Sequence, residues 1–419
     1  MRTNRGKVEL LAPAGNMEKL EIAIHYGADA VYLGGKDFSL RNFSGNFSLD
    51  EMAEAVKMAH SRNVRVYVAC NIYSRSSEEQ AIARYLDALG RIGPDALIIA
   101  DPGIVAMAGD RIAHIPIHLS TQANTTSIGA CRFWERQGVS RVNLARELTL
   151  SDIGEIASQT SLEIETFVHG AMCISYSGRC LLSSFLTRRD SNRGECSHPC
   201  RWKYAVVEEQ RPDMVHPFME DERGSYIFNS KDLCMIEHIP LLIGSGIASL
   251  KIEGRMKGIN YLASVVKVYR EAIDSYYENP EGFTVKKEWL EELSRINSRE
   301  YCTGFYFDDP DSVSPNYQDE RPGTIHRFVG KIVEKTGPQT MKVAVRNRIL
   351  VGDAVEILTK KGPAVQDRVI SMIDKKGLDT AVAQPNTVVT MTLSRDYEPL
   401  DLIRHAEEMT YTGGRRSGD

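Results

Sequence analysis

Much that would assign this 419-residue chain at a glance is missing from it. No run of about eighteen apolar residues occurs, so no helix can be drawn across a bilayer. The opening MRTNRGKVELL carries no apolar signal segment, which predicts a reducing, cytoplasmic setting. A globally basic surface is absent too, because 51 Lys and Arg stand against 56 Asp and Glu for a formal net charge of −5. Any RNA partner must therefore be met by a local basic patch. The first β-like run is followed by Ala12-Pro13-Ala14-Gly15-Asn16 rather than by the glycine-rich phosphate turn of a dinucleotide-binding sheet. Neither His-Glu-x-x-His nor Gly-x-Ser-x-Gly appears, and no internal repeat or low-complexity segment is found.

Cysteine is scarce, with eight in the chain, and half of it is concentrated: Cys173, Cys180, Cys196 and Cys200 share a 28-residue window. Even scattering would place about half a cysteine there. Glycine, serine and arginine between them permit the tight turns with which four sulfurs converge on one centre. Disulfides fit an oxidising compartment, which the opening residues argue against. A structural zinc remains an alternative, yet gaps of six, fifteen and three residues depart from paired Cys-x-x-Cys knuckles. An iron–sulfur cluster tolerates such irregular spacing, since each iron needs one thiolate, and is the leading reading. Cys70, Cys131, Cys234 and Cys302 stand singly and read as reduced core or near-surface residues.

Short β-like runs alternate with helical patterns along the first two-thirds of the chain. The runs are Val8–Ala12, Ala30–Gly34, Arg65–Asn71, Ala96–Ala100, Ile117–Thr121, Arg141–Ala145, Leu162–His169 and Ala248–Glu253, with helices such as Met17–Tyr26, Leu49–Arg62 and Glu78–Ile92 between them. Eight such units predict an α/β fold, a TIM-like (β/α) barrel, with an open doubly wound sheet as the alternative. A cysteine-rich insertion, 174–229, follows the seventh strand and includes the acidic stretch EEQRPDMVHPFMEDERG. A loop of that length needs something to order it, and a bound cluster would do so. Domain limits are expected at 1–310 for the barrel and 322–410 for a small all-β barrel, with a polar tail at 411–419. Helices over Tyr261–Tyr277 and Lys286–Ile296 read as packing elements.

Chemistry in such barrels sits where strands end. The ends supply Asn71 and Tyr73, Asp101, Gln122 and Asn124, Arg146 and Glu147, His169, and Glu253 with Arg255. Arg146 and Arg255 are candidates for gripping a carboxylate through paired hydrogen bonds, or for rim ion pairs with Glu147 and Glu253. Asn71, Gln122 and Asn124 would orient a ligand hydroxyl or tie down loops. His169 and Glu253 are the candidate proton carriers, the histidine having a structural role as its bland reading. Arg188, Arg189, Arg193, Arg201 and Lys203, near Trp202 and Tyr204, form the densest positive run, suited to phosphates and stacked bases.

Glu165, Phe167, Gly170, Ala171, Met172, Cys173, Gly178, Cys180, Leu182 and Ser183 follow, at ten positions of nineteen, the signature of the collagenase-like peptidase family of unassigned mechanism. VELLAPAGN, STQANTT and LKIEGRMKG also resemble that family, so the likeness covers residues 7 to 320. The resemblance implies a barrel with a four-iron four-sulfur (4Fe-4S) cluster on Cys173, Cys180, Cys196 and Cys200. Members of this family hydroxylate RNA or quinone precursors without molecular oxygen. The branch most similar to this chain takes its hydroxyl from prephenate, a small dicarboxylate donor, and forms 5-hydroxyuridine at the wobble position of tRNA. A homologous partner subunit is a further expectation. The alternative is a metal-dependent peptidase acting on collagen-like chains, the activity for which the family was first named.

Overall fold

The computed structural model describes residues 6–39, 45–172, 175–190, 196–199, 220–221, 224–225, 231–296, 300–307 and 328–406. They group into two compact units, 1–285 with 299–318 and 286–298 with 319–419. Helix Lys287–Ile296, left inside the first domain by the sequence reading, groups with the second unit.

In the first unit eight parallel strands close on themselves: β1 (Glu9–Pro13), β2 (Ala30–Gly34), β3 (Arg65–Cys70), β4 (Ala96–Ile99), β5 (Ile117–Leu119), β6 (Val139–Asn143), β7 (Glu163–Ala171) and β8 (Ser249–Ile252). Closure is made by β8, whose Leu250 pairs with Leu10 on one side and Thr166 on the other. The strands are short because each is buried on both faces, as in β1 and β2, where every residue is buried. Helices α1 (Met17–His25), α2 (Leu49–His60), α3 (Glu79–Ile92), α4 (Pro102–Arg111), α5 (Ile128–Arg136) and α6 (Leu150–Gln159) alternate with them. Their starts are set by local chemistry. Ser48 and Glu51 make a reciprocal cap on α2, and Asp101 caps α4 ahead of Pro102.

After β7 the chain forms the short helix α7 (Leu182–Thr187) within the cysteine segment and returns as a strand, Asp232–Cys234, antiparallel to the end of β7. That pairing carries β7 two residues past the expected stop at His169, so His169 lies inside a strand rather than beyond one. Helices α8 (Ile239–Gly244) and α9 (Ile259–Glu278) flank β8. Among the described residues no helix is long and apolar enough to cross a membrane.

The second unit is a seven-stranded antiparallel sheet, ordered Val365–Arg368, Ala354–Leu358, Leu402–His405, Phe328–Gly337, Thr340–Val345, Val388–Thr392 and Ser371–Ile373, with the pair Ile349–Leu350 and Val382–Ala383 beside it. Burial alternates along Thr340–Val345 and gathers Met341, Val343 and Val345 into one core with Val329, Ile357 and Met391. Arg404 is fully buried there and donates to Glu292 of helix α10 (Lys287–Ile296) at 2.8 Å.

Candidate active site at the barrel mouth

Several of the strand-end residues are already engaged with their neighbours. Asp101 accepts from the Ile104 N–H at 3.0 Å and from the Ser74 N–H and hydroxyl at 3.0 and 3.1 Å, so it fastens the β3 loop to α4. Tyr73 donates its hydroxyl to the Gln122 carbonyl at 2.6 Å, and burial raises its phenol above the usual range. Asn124 follows a 3-10 turn in the left-handed conformation, φ 52°, and its buried Nδ2 has no hydrogen-bond partner. That orphaned donor suits a ligand acceptor at the mouth. Asn71 directly follows β3.

Both arginines have partners other than a rim carboxylate. Arg146 donates to the Ala171 carbonyl at 2.7 Å and sets its guanidinium carbon over the Phe167 ring, 3.9 Å from its centre. Glu147 instead accepts from the Ser177 N–H at 2.7 Å, which ties the cysteine segment to the rim. Beside that tie, Gly178 sits at φ +74°, so close to Gln122 that a Cβ would lie 2.2 Å from the carbonyl oxygen. Arg255 is buried, donates to Ser39 Oγ at 3.0 Å and has its carbonyl held by Lys19 Nζ at 3.0 Å. A Cβ on Gly34 would meet the Arg255 guanidinium at 2.3 Å, so the strand end is hollowed for it.

His169 is 1% exposed, with the rings of Tyr301, Tyr269 and Tyr261 at 5.3, 5.5 and 5.9 Å. Burial, then the Lys257 ammonium, pushes its pKa down to about 3, so it is neutral at physiological pH. Its carbonyl accepts from the Glu253 N–H at 2.8 Å, and the Glu253 carbonyl accepts from Tyr261 at 2.8 Å. The half-buried Glu253 is thus fixed at both backbone ends beside the mouth.

Beneath the mouth lies a group that the strand-end reasoning missed. Arg141 Nη1 is 2.6 Å from Glu9 and 3.4 Å from Glu165, and its Nη2 is 2.6 Å from Glu163. Lys251 Nζ reaches Glu165 at 2.7 Å and lies over the Tyr32 ring at 4.6 Å. Tyr67 and Ser249 donate to Glu9 at 2.7 and 2.9 Å. Burial pushes the Glu9 carboxyl up, but Arg141 and Arg65 outweigh it and hold it below the usual range. His118, packed edge-on to Tyr67, is driven well below 6.5 by burial and then by Arg141, Lys251 and Arg65. Its Nδ1 and Asn143 Oδ1 are buried without partners. The signal was present: a charge at a single position in otherwise apolar runs, as in VELLAP, VSRVN and SLKI, marks an inward side chain in a closed barrel.

Of the four clustered cysteines, Cys180 and Cys196 are described, while Cys173 and Cys200 lie outside the described residues, as do Arg193 and Arg201. Ser197 Oγ meets Ser183 Oγ at 3.1 Å and Thr187 Oγ1 at 3.0 Å, which holds the Cys180 and Cys196 stretches together. Cys196 Sγ accepts from the His198 N–H at 3.4 Å, a bond that suits a thiolate ligand. Two thiols, one of them accepting a backbone N–H, are the kind of donor an iron–sulfur centre uses, and among the described residues no three metal-ligating side chains converge. Arg188 is exposed at the end of α7 and Arg189 is half-buried.

A closed barrel with an arginine-bearing rim, inward charges and a cysteine segment fastened over its carboxyl end is built as barrel enzymes are. The chain belongs to peptidase family U32: that family's profile matches residues 15–315, and that of its C-terminal domain matches residues 325–404. It is 40% identical over 403 residues to tRNA hydroxylation protein P1 of Bacillus subtilis (strain 168), covering 95% of this chain and 94% of that protein. It is 36% identical over 397 residues to tRNA hydroxylation protein P of Escherichia coli (strain K12), covering 85% and 87%. The 23S rRNA 5-hydroxycytidine C2501 synthase of Escherichia coli (strain K12) is 31% identical over 370 residues, covering 86% of this chain and 54% of that protein.

Proposed function

We propose that this protein is an RNA-modifying hydroxylase that acts on tRNA without molecular oxygen. It converts a wobble uridine to 5-hydroxyuridine with prephenate as the hydroxyl donor. The observation that carries this reading is the fastening of the cysteine segment, through Glu147 and Gln122, onto the rim that holds Arg146 and Arg255. The relatives named tRNA hydroxylation proteins, which match most of the chain, support the substrate class.

Cys173, Cys180, Cys196 and Cys200 would hold a 4Fe-4S cluster, which supplies one-electron redox or a Lewis-acidic iron when bound. Arg146 and Arg255 bind the donor's two carboxylates, one guanidinium held over the Phe167 ring and the other anchored by Ser39. Asn124 offers its orphaned N–H to a ligand oxygen. Glu253 moves the proton at the mouth, and the uncharged His169 positions it through the backbone. The target base enters everted, since an enzyme cannot reach a stacked ring.

Nucleoside mass spectrometry of tRNA from cells lacking the gene tests this directly. Loss of 5-hydroxyuridine, restored by the wild-type gene and not by Cys180→Ser, is expected. Intact modification in a strain with no second copy overturns the reading. Blocking prephenate synthesis should mimic the gene loss, and its failure to do so would remove the donor alone. Gelatin cleavage abolished by Cys180→Ser would favour the peptidase, for which the sequence offers neither His-Glu-x-x-His nor Gly-x-Ser-x-Gly.

A further inference from the structure

Helix α7 is amphipathic in the reverse sense. A helix on a soluble protein ordinarily buries its large apolar residues and shows its hydroxyls. Here Ser183 is fully buried and joins Thr187 in holding Ser197, while Leu181 is 69% exposed and Phe185 83%. The Phe185 N–H donates to the Leu181 carbonyl at 2.9 Å, so the two side chains lie one turn apart on one face. Tyr176, 65% exposed, precedes them in a turn closed by the Arg179 N–H on its carbonyl at 3.0 Å. Arg179 and Arg188, both exposed, flank Leu181 and Phe185 in the chain.

We propose that Tyr176, Leu181 and Phe185 form a stacking platform for the unpaired bases of an RNA loop, with Arg179 and Arg188 taking the flanking phosphates. The platform deepens the reading as an RNA hydroxylase and rests on it for the identity of the RNA. Flat apolar surface interleaved with guanidinium is what sequence-tolerant recognition of single strands requires. Charge selects the occupant. The chain carries a net −5, so this is a local basic patch of the kind an RNA partner needs. A second copy docking face to face would set Arg179 and Arg188 against their own kind, whereas an RNA loop brings the opposite sign.

The experiment measures binding of the full-length, metal-loaded protein to a labelled RNA hairpin with an unpaired loop, and to the same stem closed as a continuous duplex. Phe185→Ala should weaken hairpin binding on the order of 5- to 150-fold, the range for one lost base stack, with the salt dependence unchanged. Arg188→Gln should instead lower the slope of log affinity against log salt by roughly one. Phe185→Trp should keep the affinity and show quenched fluorescence on binding. Phe185 is exposed, so these variants fold, and unchanged melting curves verify that. Wild-type hairpin affinity in Phe185→Ala overturns the proposal, as does a protein dimer that Phe185→Ala dissociates in sedimentation. If hairpin binding depends on Phe185 while cells lacking the gene keep their 5-hydroxyuridine, the platform stands and the hydroxylase reading falls. The converse result keeps the activity and removes the platform.

Discussion

Below the mouth, Arg141 contacts three carboxylates at 2.6, 2.6 and 3.4 Å and is itself buried; above it, the cysteine segment reaches the rim through Ser177 on Glu147 and through Gly178 against Gln122. The first arrangement is over-determined. Arg141 on β6 is held by Glu9 of β1 and by Glu163 and Glu165 of β7, and Lys251 of β8 shares Glu165, so the ions link four strands as well as fixing where side chains point. The second rests, among the described residues, on the Ser177 bond and the close approach of Gly178, and would gain its remaining order from the cluster proposed for its thiols.

That contrast can be broken from either side. The largest effect is expected at the ionic group: Arg141→Met leaves buried Glu9 with only the exposed Arg65 for a cation and buried Glu165 with only Lys251, and should cost about 3 kcal/mol in urea unfolding. A loss under about 1 kcal/mol would show that the carboxylates relax to solvent. Next come two buried histidines that the fold holds neutral. His169 and His118 are held neutral below their ordinary 6.5, so the unfolded chain takes up protons that the folded one refuses. Their contribution is complete above pH 6.5 and falls away as the pH drops, by about 1.4 kcal/mol per unit for each histidine. His169→Gln should lower the slope of unfolding free energy between pH 6.5 and 4.5 by one histidine's share, about 1.4 kcal/mol per unit, above the range where Glu9 titrates with the same sign. An unaltered slope would place the proton uptake elsewhere.

Effects on the cysteine segment should be local. Gly178→Ala, at φ +74° and against a carbonyl, should undock that segment and speed proteolysis between residues 172 and 231 while leaving the barrel's melting midpoint in place. Chelation should give the same cleavage pattern, and identical patterns with and without metal would sever cofactor from order. The smallest change is expected of Glu147→Gln, which keeps a weaker acceptor for Ser177 and should cost about 1 kcal/mol of docking, read by hydrogen exchange at residues 175–180.

The same contrast governs what the sequence discloses. The eight strands were legible because both-face burial writes itself as continuous apolar runs, and the cysteines because clustering is visible in one dimension. The ionic group was not, since Glu9, Arg141, Glu165 and Lys251 come from four strands far apart in the chain, and Glu9 of the first meets Arg141 of the sixth only when the sheet closes. The reach of β7 to Ala171 was hidden for a similar reason, its partner Asp232–Cys234 lying beyond the insertion. In the second unit the strands Ile349–Leu350, Ser371–Ile373 and Val382–Ala383 are too short to show a period of two. Arg146 and Arg255 were found by position, but their tethers, a ring face and a serine hydroxyl, required coordinates.

One consequence of the closing strand concerns the protein's birth. Because Leu250 must pair with Leu10, a ribosome has to deliver the whole insertion before the sheet loses its two open edges. Until then, seven strands present unsatisfied amides on both flanks, the condition that invites association between nascent chains. The four clustered cysteines emerge during that interval as well, so loading of the proposed cluster and completion of the barrel would fall within one window of synthesis.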